Sequence, residues 1–108
     1  MCLKREVCKK VSDEFYAYKN EVLKCNAEVV WNLSNRIAFF SCVAEYFEYS
    51  EDIPEEFLRV LNRYAHPIYT MWMEYLKNEN LQYARWEDIE MILSQMAKKE
   101  EENYECSE

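Results

Sequence analysis

The residues able to do chemistry are few. One histidine, His66, stands in a His66-Pro67 step. An imidazole there could act as a general base or as one metal ligand. A general base, however, needs a partner and a pocket, and a loop imidazole capping a nearby carbonyl is the simpler reading. The five cysteines, Cys2, Cys8, Cys25, Cys42 and Cys106, are separated by 6, 17, 17 and 64 residues. They contain no C-x-x-C knuckle, and no H-x-x-x-H or H-E-x-x-H accompanies them, so neither a metal nor another cofactor is expected. Cys42 with His66 would make a nucleophile pair. Cys42 nevertheless lies in the most apolar stretch, Ile37 to Ala44, where a buried structural thiol is the expectation.

Carboxylates are abundant, and adjacent pairs recur at Glu51-Asp52, Glu55-Glu56 and Glu87-Asp88. Neighbouring residues point in different directions on a helix, so such pairs do not share a catalytic site. Two of the pairs fall in first turns, where negative charge complements the helix dipole. No catalytic residue is therefore assigned, and an enzyme is not expected. Taken together, the acids from Glu45 to Glu56 say more. Glu45, Glu48, Glu51, Asp52, Glu55 and Glu56 place six of the chain's 21 acids within twelve residues, with no basic residue among them. Tyr46 and Tyr49 are interleaved, and amphipathic aromatic rings favour protein interfaces. A solvated corner is the plain reading of such a run. The functional one is a binding surface made of Glu45, Tyr46, Glu48, Tyr49, Glu51, Asp52, Glu55 and Glu56, docking on a basic groove that otherwise holds nucleic-acid phosphates.

The elements that must position these residues read as helices. Leu3, Val7, Val11, Phe15, Tyr18 and Val22 recur at steps of 4, 4, 4, 3 and 4, one stripe of a helix over about 3–24. Glu6 with Lys10, and Lys10 with Glu14, stand four apart and can pair along its wet face. Asn26 suits an N-cap with Glu28 in the first turn, opening a helix over about 27–49. Val30, Leu33, Ile37, Phe40, Ala44 and Phe47 line one face of it, and Phe39, Val43 and Tyr46 widen the stripe. A helix so apolar belongs at the centre of the fold. Asp52 with Glu55 three residues on reads as a capping box, with Pro54 in the first turn of a short helix bearing Phe57, Leu58, Val60, Leu61 and Tyr64. His66 before Pro67 ends that helix, and Pro67 opens another with Ile68, Met71, Trp72, Tyr75 and Leu76. Asn78-Glu79-Asn80 is the next turn, asparagine standing in for glycine in the left-handed region. A last helix over about 84–101 carries Trp86, Ile89, Ile92, Leu93 and Met96, and the acidic residues at about 102–108 should fray.

Composition narrows the class further. The chain has 108 residues, of which 13 are basic and 21 acidic, for a net charge of −8 and a pI near 4.7. Half of the residues are hydrophobic and 16% aromatic. That is enough for one self-sufficient domain, residues 1–108, burying roughly 65% of its unfolded surface, and it is unlike a disordered acidic tail. Glycine is absent, which argues against a P-loop, a dinucleotide fingerprint or a tight hairpin turn. The charged start, Met1-Cys2-Leu3-Lys4-Arg5-Glu6, does not resemble a signal peptide, and the eight-residue apolar run at Ile37 falls short of a membrane span of about 20 residues. An odd cysteine count without an export signal suits reduced thiols in the cytoplasm. Strong negative charge disfavours direct binding to nucleic acid or to anionic membranes and favours a protein partner with a basic surface.

The order of features resembles domain-of-unknown-function family 3848, small helical proteins of Firmicutes mobile elements and phages. The resemblance rests on Phe15-Tyr16-Ala17-Tyr18-Lys19, Ala27-Glu28, Ser50-Glu51-Asp52, Leu58 and Leu61, Pro67-Ile68-Tyr69 with Trp72, and Glu87-Asp88-Ile89. It would span about 13–97 and supplies no catalytic or ligand residue. What it implies is a setting rich in anti-restriction and anti-CRISPR proteins.

The sequence thus leads to an all-α fold, a compact bundle of four to five helices around a central apolar helix. The expected function is a non-enzymatic inhibitor of a host nucleic-acid-handling complex, such as a CRISPR effector, acting through the acidic tyrosine-containing surface. The alternative is a helical adaptor or homo-oligomerising protein using aromatic surface around Trp72 and Trp86.

Overall fold

The computed structural model describes residues 2–78 and 85–106, with side chains described as far as Glu100. Among the described residues there are six helices and no strand: α1 Leu3–Leu23, α2 Ala27–Asn32, α3 Ser34–Tyr49, α4 Glu55–Asn62, α5 Pro67–Leu76 and α6 Trp86–Cys106. No helix among them is long and apolar enough to cross a membrane.

The α1 stripe packs as its period requires. Val7, Val11 and Val22 are buried, and Leu3, Phe15 and Tyr18 lie at the core's edge. The helix expected over 27–49 is broken at Leu33, which has φ −93° and ψ 3°. Its N–H is shared between Val29 O at 3.0 Å and Val30 O at 3.1 Å, a tightened end of α2. Asn32, Ser34 and Asn35 around it are weak helix formers whose side chains compete for backbone groups. The six-residue α2 keeps its Asn26 cap, with Asn26 Oδ1 accepting from Val29 N at 3.0 Å, but buries no residue. The central element is therefore α3. Its Phe39, Phe40, Val43, Tyr46 and Phe47 are buried, and they meet α4 Leu61, α5 Ile68 and Met71, and α6 Ile89, Ile92 and Leu93 in one apolar cluster.

Three local expectations change. First, the capping box at Asp52 does not form. Pro54 (φ −55°, ψ 137°) is the N-cap of α4, with no side-chain cap bond, because an extended proline starts the first helical turn two residues later than an Asp52 cap would. Glu55 and Glu56 do occupy that turn. Ile53 and Leu58 join the core from the positions of a hydrophobic staple. Second, the local pairs along α1 give way to tertiary caps. Lys10 Nζ donates to Asn62 O at the end of α4, at 2.7 Å. Glu14 accepts from the backbone N–H of Ile68 on Oε1 at 2.7 Å and of Tyr69 on Oε2 at 3.0 Å. One cation thus meets the negative end of α4 and one carboxylate the positive end of α5. Third, α6 stays helical through Cys106, past the end expected near residue 101. Glu100 pairs with Arg63 at 3.1 Å and Lys99 with Glu74 at 3.1 Å, holding its second half against α4 and α5. Asp88 Oδ2 accepts from Arg85 N at 3.0 Å, the capping role read for the acids of this turn. Within the 78–80 turn, Glu79 and Asn80 lie outside the described residues, as do Ser107 and Glu108.

Candidate functional site

The two sides of α3 have different fates. Phe39, Phe40, Val43, Tyr46 and Phe47 turn inward. Ser41, Ala44, Glu45 and Glu48, at i, i+3, i+4 and i+7, form an adjoining stripe. On α1 the residues next to the buried stripe are Cys8, Ser12, Phe15 and Tyr16. The two stripes bound an open groove of about 460 Å³ along the α1–α3 seam, with Val11 and Phe47 beneath it and Tyr49 at its end. Small side chains at Cys8, Ser12, Ser41 and Ala44 make the groove. Their helical spacing beside the two core stripes was the sequence signal for it, and the apolar pattern alone does not register small residues.

The acidic run meets this groove. Glu45 and Glu48 line it; Glu51 and Asp52 follow in the α3–α4 connection, and Glu55 and Glu56 open α4. All six are exposed. Tyr49 is 64% exposed and stands among them. Tyr46 is not part of this surface, since it is 1% exposed. Its ring meets Phe47 and Trp86 edge-on at 5.2 and 5.5 Å, and its hydroxyl donates to Glu90 Oε2 at 3.4 Å. Burial, followed by the charge and hydrogen bond of Glu90, pushes the Tyr46 hydroxyl up to about 12. The i, i+3 step that puts Tyr49 outside puts Tyr46 into the core.

Among the described residues, none of the six carboxylates forms an ion pair. The ion pairs present join Lys24 to Glu21, Arg63 to Glu100, and Lys77 and Lys99 to Glu74. Lys4 reaches the corner but donates to the backbone carbonyl of Glu51 at 3.3 Å. The negative charge there is thus offset only by Lys4 at the Glu51 carbonyl, next to a groove with an apolar base.

The other reactive groups do not assemble. Cys42 is half-buried, and burial, with the charges of Glu45 and Asp88, raises its thiol above the ordinary value. Cys8 donates to Phe47 O at 3.4 Å and is raised by burial. His66 is exposed, at a shallow depression shared with Glu14, Arg36 and Tyr69, away from the charged neighbours of Cys42. In that depression the Arg36 guanidinium lies over the rings of Tyr18, Phe40 and Tyr69 at 4.9, 5.1 and 5.3 Å, fastening α3 to α1 and α5. No group of three or more His, Cys, Asp or Glu among the described residues is placed to hold a metal ion.

Of the rings considered as an alternative surface, Trp72 is half-buried and Trp86 is exposed, and each also makes ring contacts within the molecule. Trp72 lies 5.4 Å from Phe39 and stacks on Tyr75 at 5.6 Å, and Trp86 packs on Tyr46. The most exposed of the described rings is Trp31 on α2, at 80%, with Leu23 and Val29 also exposed. In comparisons with known proteins, the chain matches no family model, and neither a curated protein nor a solved structure shows significant similarity to it.

Proposed function

We propose that the protein is a non-enzymatic binder whose acidic corner, with Glu45, Glu48, Tyr49, Glu51, Asp52, Glu55 and Glu56, occupies a basic surface on a protein partner. The partner class that best fits is a nucleic-acid-handling complex, a CRISPR effector being the example, whose phosphate-binding surface the corner would block. The observation that carries the reading is the set of six exposed carboxylates with no ion pair among the described residues. Leaving like charges together costs self-repulsion, which an incoming basic surface relieves. The test is binding to a guide-loaded CRISPR effector with target DNA as competitor. The reading requires that DNA and protein exclude each other, that salt weakens the complex, and that reversing Glu48 and Glu51 to lysine releases it. Binding indifferent to both DNA and the reversal contradicts it.

A second reading, association through apolar surface, draws on Trp31, Leu23 and Val29 rather than on Trp72 and Trp86. Tryptophan is enriched among residues that dominate interfaces. Concentration-dependent mass by light scattering, abolished by Trp31→Ser, would support self-association there, and a monomer at all concentrations would reject it.

A further inference from the structure

We propose that the α1–α3 groove takes a basic amphipathic helix of the partner, apolar side inward and Lys or Arg side against Glu45 and Glu48. This rests on the reading of the acidic corner as the contact surface and names the element that enters it.

Shape comes first. Helices α1 and α3 run antiparallel: Cys8 Sγ bonds Phe47 O at one end, and Tyr18 packs on Phe40 at 4.4 Å toward the other. The walls, Cys8 to Tyr16 and Ser41 to Tyr49, each extend about 12 Å at the helical rise, two turns of an occupant. Such a length accepts apolar anchors at i, i+3, i+4 and i+7 of a helix. Small walls at Ser12, Ser41 and Ala44 admit its close approach.

Chemistry then selects the occupant. Val11 and Phe47 at the base are buried and Phe15 and Ala44 half-buried, so the inner face must be apolar. Glu45 and Glu48 stand one turn apart on the α3 lip with no ion pair among the described residues, matching basic residues three or four apart on a helix. Tyr16 and Tyr49 are exposed at the lips, and the Tyr49 ring face is offered to arginine. The Tyr16 ring has Lys19 Nζ 5.9 Å from its centre, which leaves the acidic end as the place for the occupant's cations. A β-strand has no purchase, because both walls are helices with no free sheet edge to pair with. An acidic helix would bring like charges against the lip.

The probe is a fluorescein-labelled helical peptide of about 14 residues, roughly 21 Å long, with leucine at i, i+3, i+4 and i+7 and arginine along one flank. A peptide of identical composition in scrambled order is the control, and anisotropy is read with the full chain. The ordered peptide is expected to bind at least about tenfold tighter than the scrambled one, and Glu45→Lys with Glu48→Lys to weaken it by about tenfold or more. Ser12→Phe or Ser41→Phe, filling the groove while keeping the charges, should reduce it to the scrambled peptide's level. Circular dichroism shows which variants remain folded. Amide shifts of the unaltered protein, expected within residues 8–16 and 41–49, decide without any variant. Equal binding of both peptides, or shifts lying elsewhere, overturns the groove proposal while leaving the acidic corner standing. No binding by either peptide, or binding untouched by the lysine reversals, overturns both.

Discussion

Removing the Glu14 carboxylate tests the structural account where local sequence patterns are blind. Its two oxygens accept from Ile68 N and Tyr69 N, the first free donors of α5, and no side chain of α5's own N-cap, His66, does so. Loss of a cap costs typically about 1 kcal/mol, within a range of roughly 0.5–2, and loss of a charge at a helix N-terminus adds about 0.3–1. Relief of the partly buried carboxylate's desolvation offsets the charge contribution, because burial outweighs the pull of the amides and cations on Glu14. Glu14→Ala should therefore destabilise by about 1 kcal/mol, lowering Tm by roughly 4–8 °C for a domain of this size. Glu14→Gln keeps one acceptor and should lose about half as much. Burial raises the Glu14 carboxyl above its ordinary value, against the pull of the Ile68 and Tyr69 amides and of His66 and Arg36. With the folded pKa above the unfolded one, this contribution is complete below the ordinary glutamate pKa and is lost as pH rises through the raised value. The deficit of Glu14→Gln should accordingly widen on acidification. Thermal unfolding of Glu14→Ala within about 2 °C of the unaltered protein, at every pH, would refute the reasoning.

Four further outcomes are expected. Glu74 is pushed up by burial but held net below its ordinary value by hydrogen bonds from Lys99 and Lys77; its contribution is present above the unfolded pKa and lost as pH falls through the depressed one. The stability deficit of Glu74→Gln, measured by urea unfolding, should thus vanish in acid. Tyr46 should be the last described tyrosine to ionise in an absorbance titration, near pH 12, and Tyr46→Ala should cost about 3–5 kcal/mol, as for other large core deletions. Cys2 is exposed, with its thiol lowered by the backbone amides of Arg5 and Lys4, so it should be alkylated well before the half-buried Cys8 and Cys42, as peptide mass mapping would show. Arg36→Met should loosen α5 from α1 and α3, seen as faster amide exchange at Tyr69 and Thr70, since the guanidinium spans rings on all three helices.

The legible parts of the fold are those where side chains report burial by their period. The steps from Leu3 to Val22 and the buried face from Phe39 to Phe47 pack as read, because burial of apolar area is the dominant local signal. The break at Leu33 is not legible that way. Val30, Leu33 and Ile37 continue the apolar line straight through it, and only the weak helix formers Asn32, Ser34 and Asn35 hint at an interruption. Lys10 and Glu14 looked like partners of each other because spacing four apart is visible in a sequence, whereas the ends of α4 and α5 that claim them become neighbours only on folding. Of the candidate surface, exposure of the six carboxylates and of Tyr49 follows from their type and position. Tyr46, three residues earlier, is drawn inside with its hydroxyl on Glu90. The groove beside them arises from an absence of bulk at Ser12, Ser41 and Ala44, which a search for large apolar residues passes over.

The central claim is that the acidic corner is the contact surface. The most direct measurement is quantitative affinity capture from a cell lysate with three versions of the protein: unaltered, Glu48→Lys with Glu51→Lys, and Glu21→Lys with Glu28→Lys. The two double reversals change net charge equally, and Glu21 and Glu28 lie by the far end of the α1–α3 pair. The account predicts that proteins captured by the unaltered chain at low salt and released at high salt are lost with the corner reversal and kept with the control reversal. Equal loss with both, or retention with both, would contradict it.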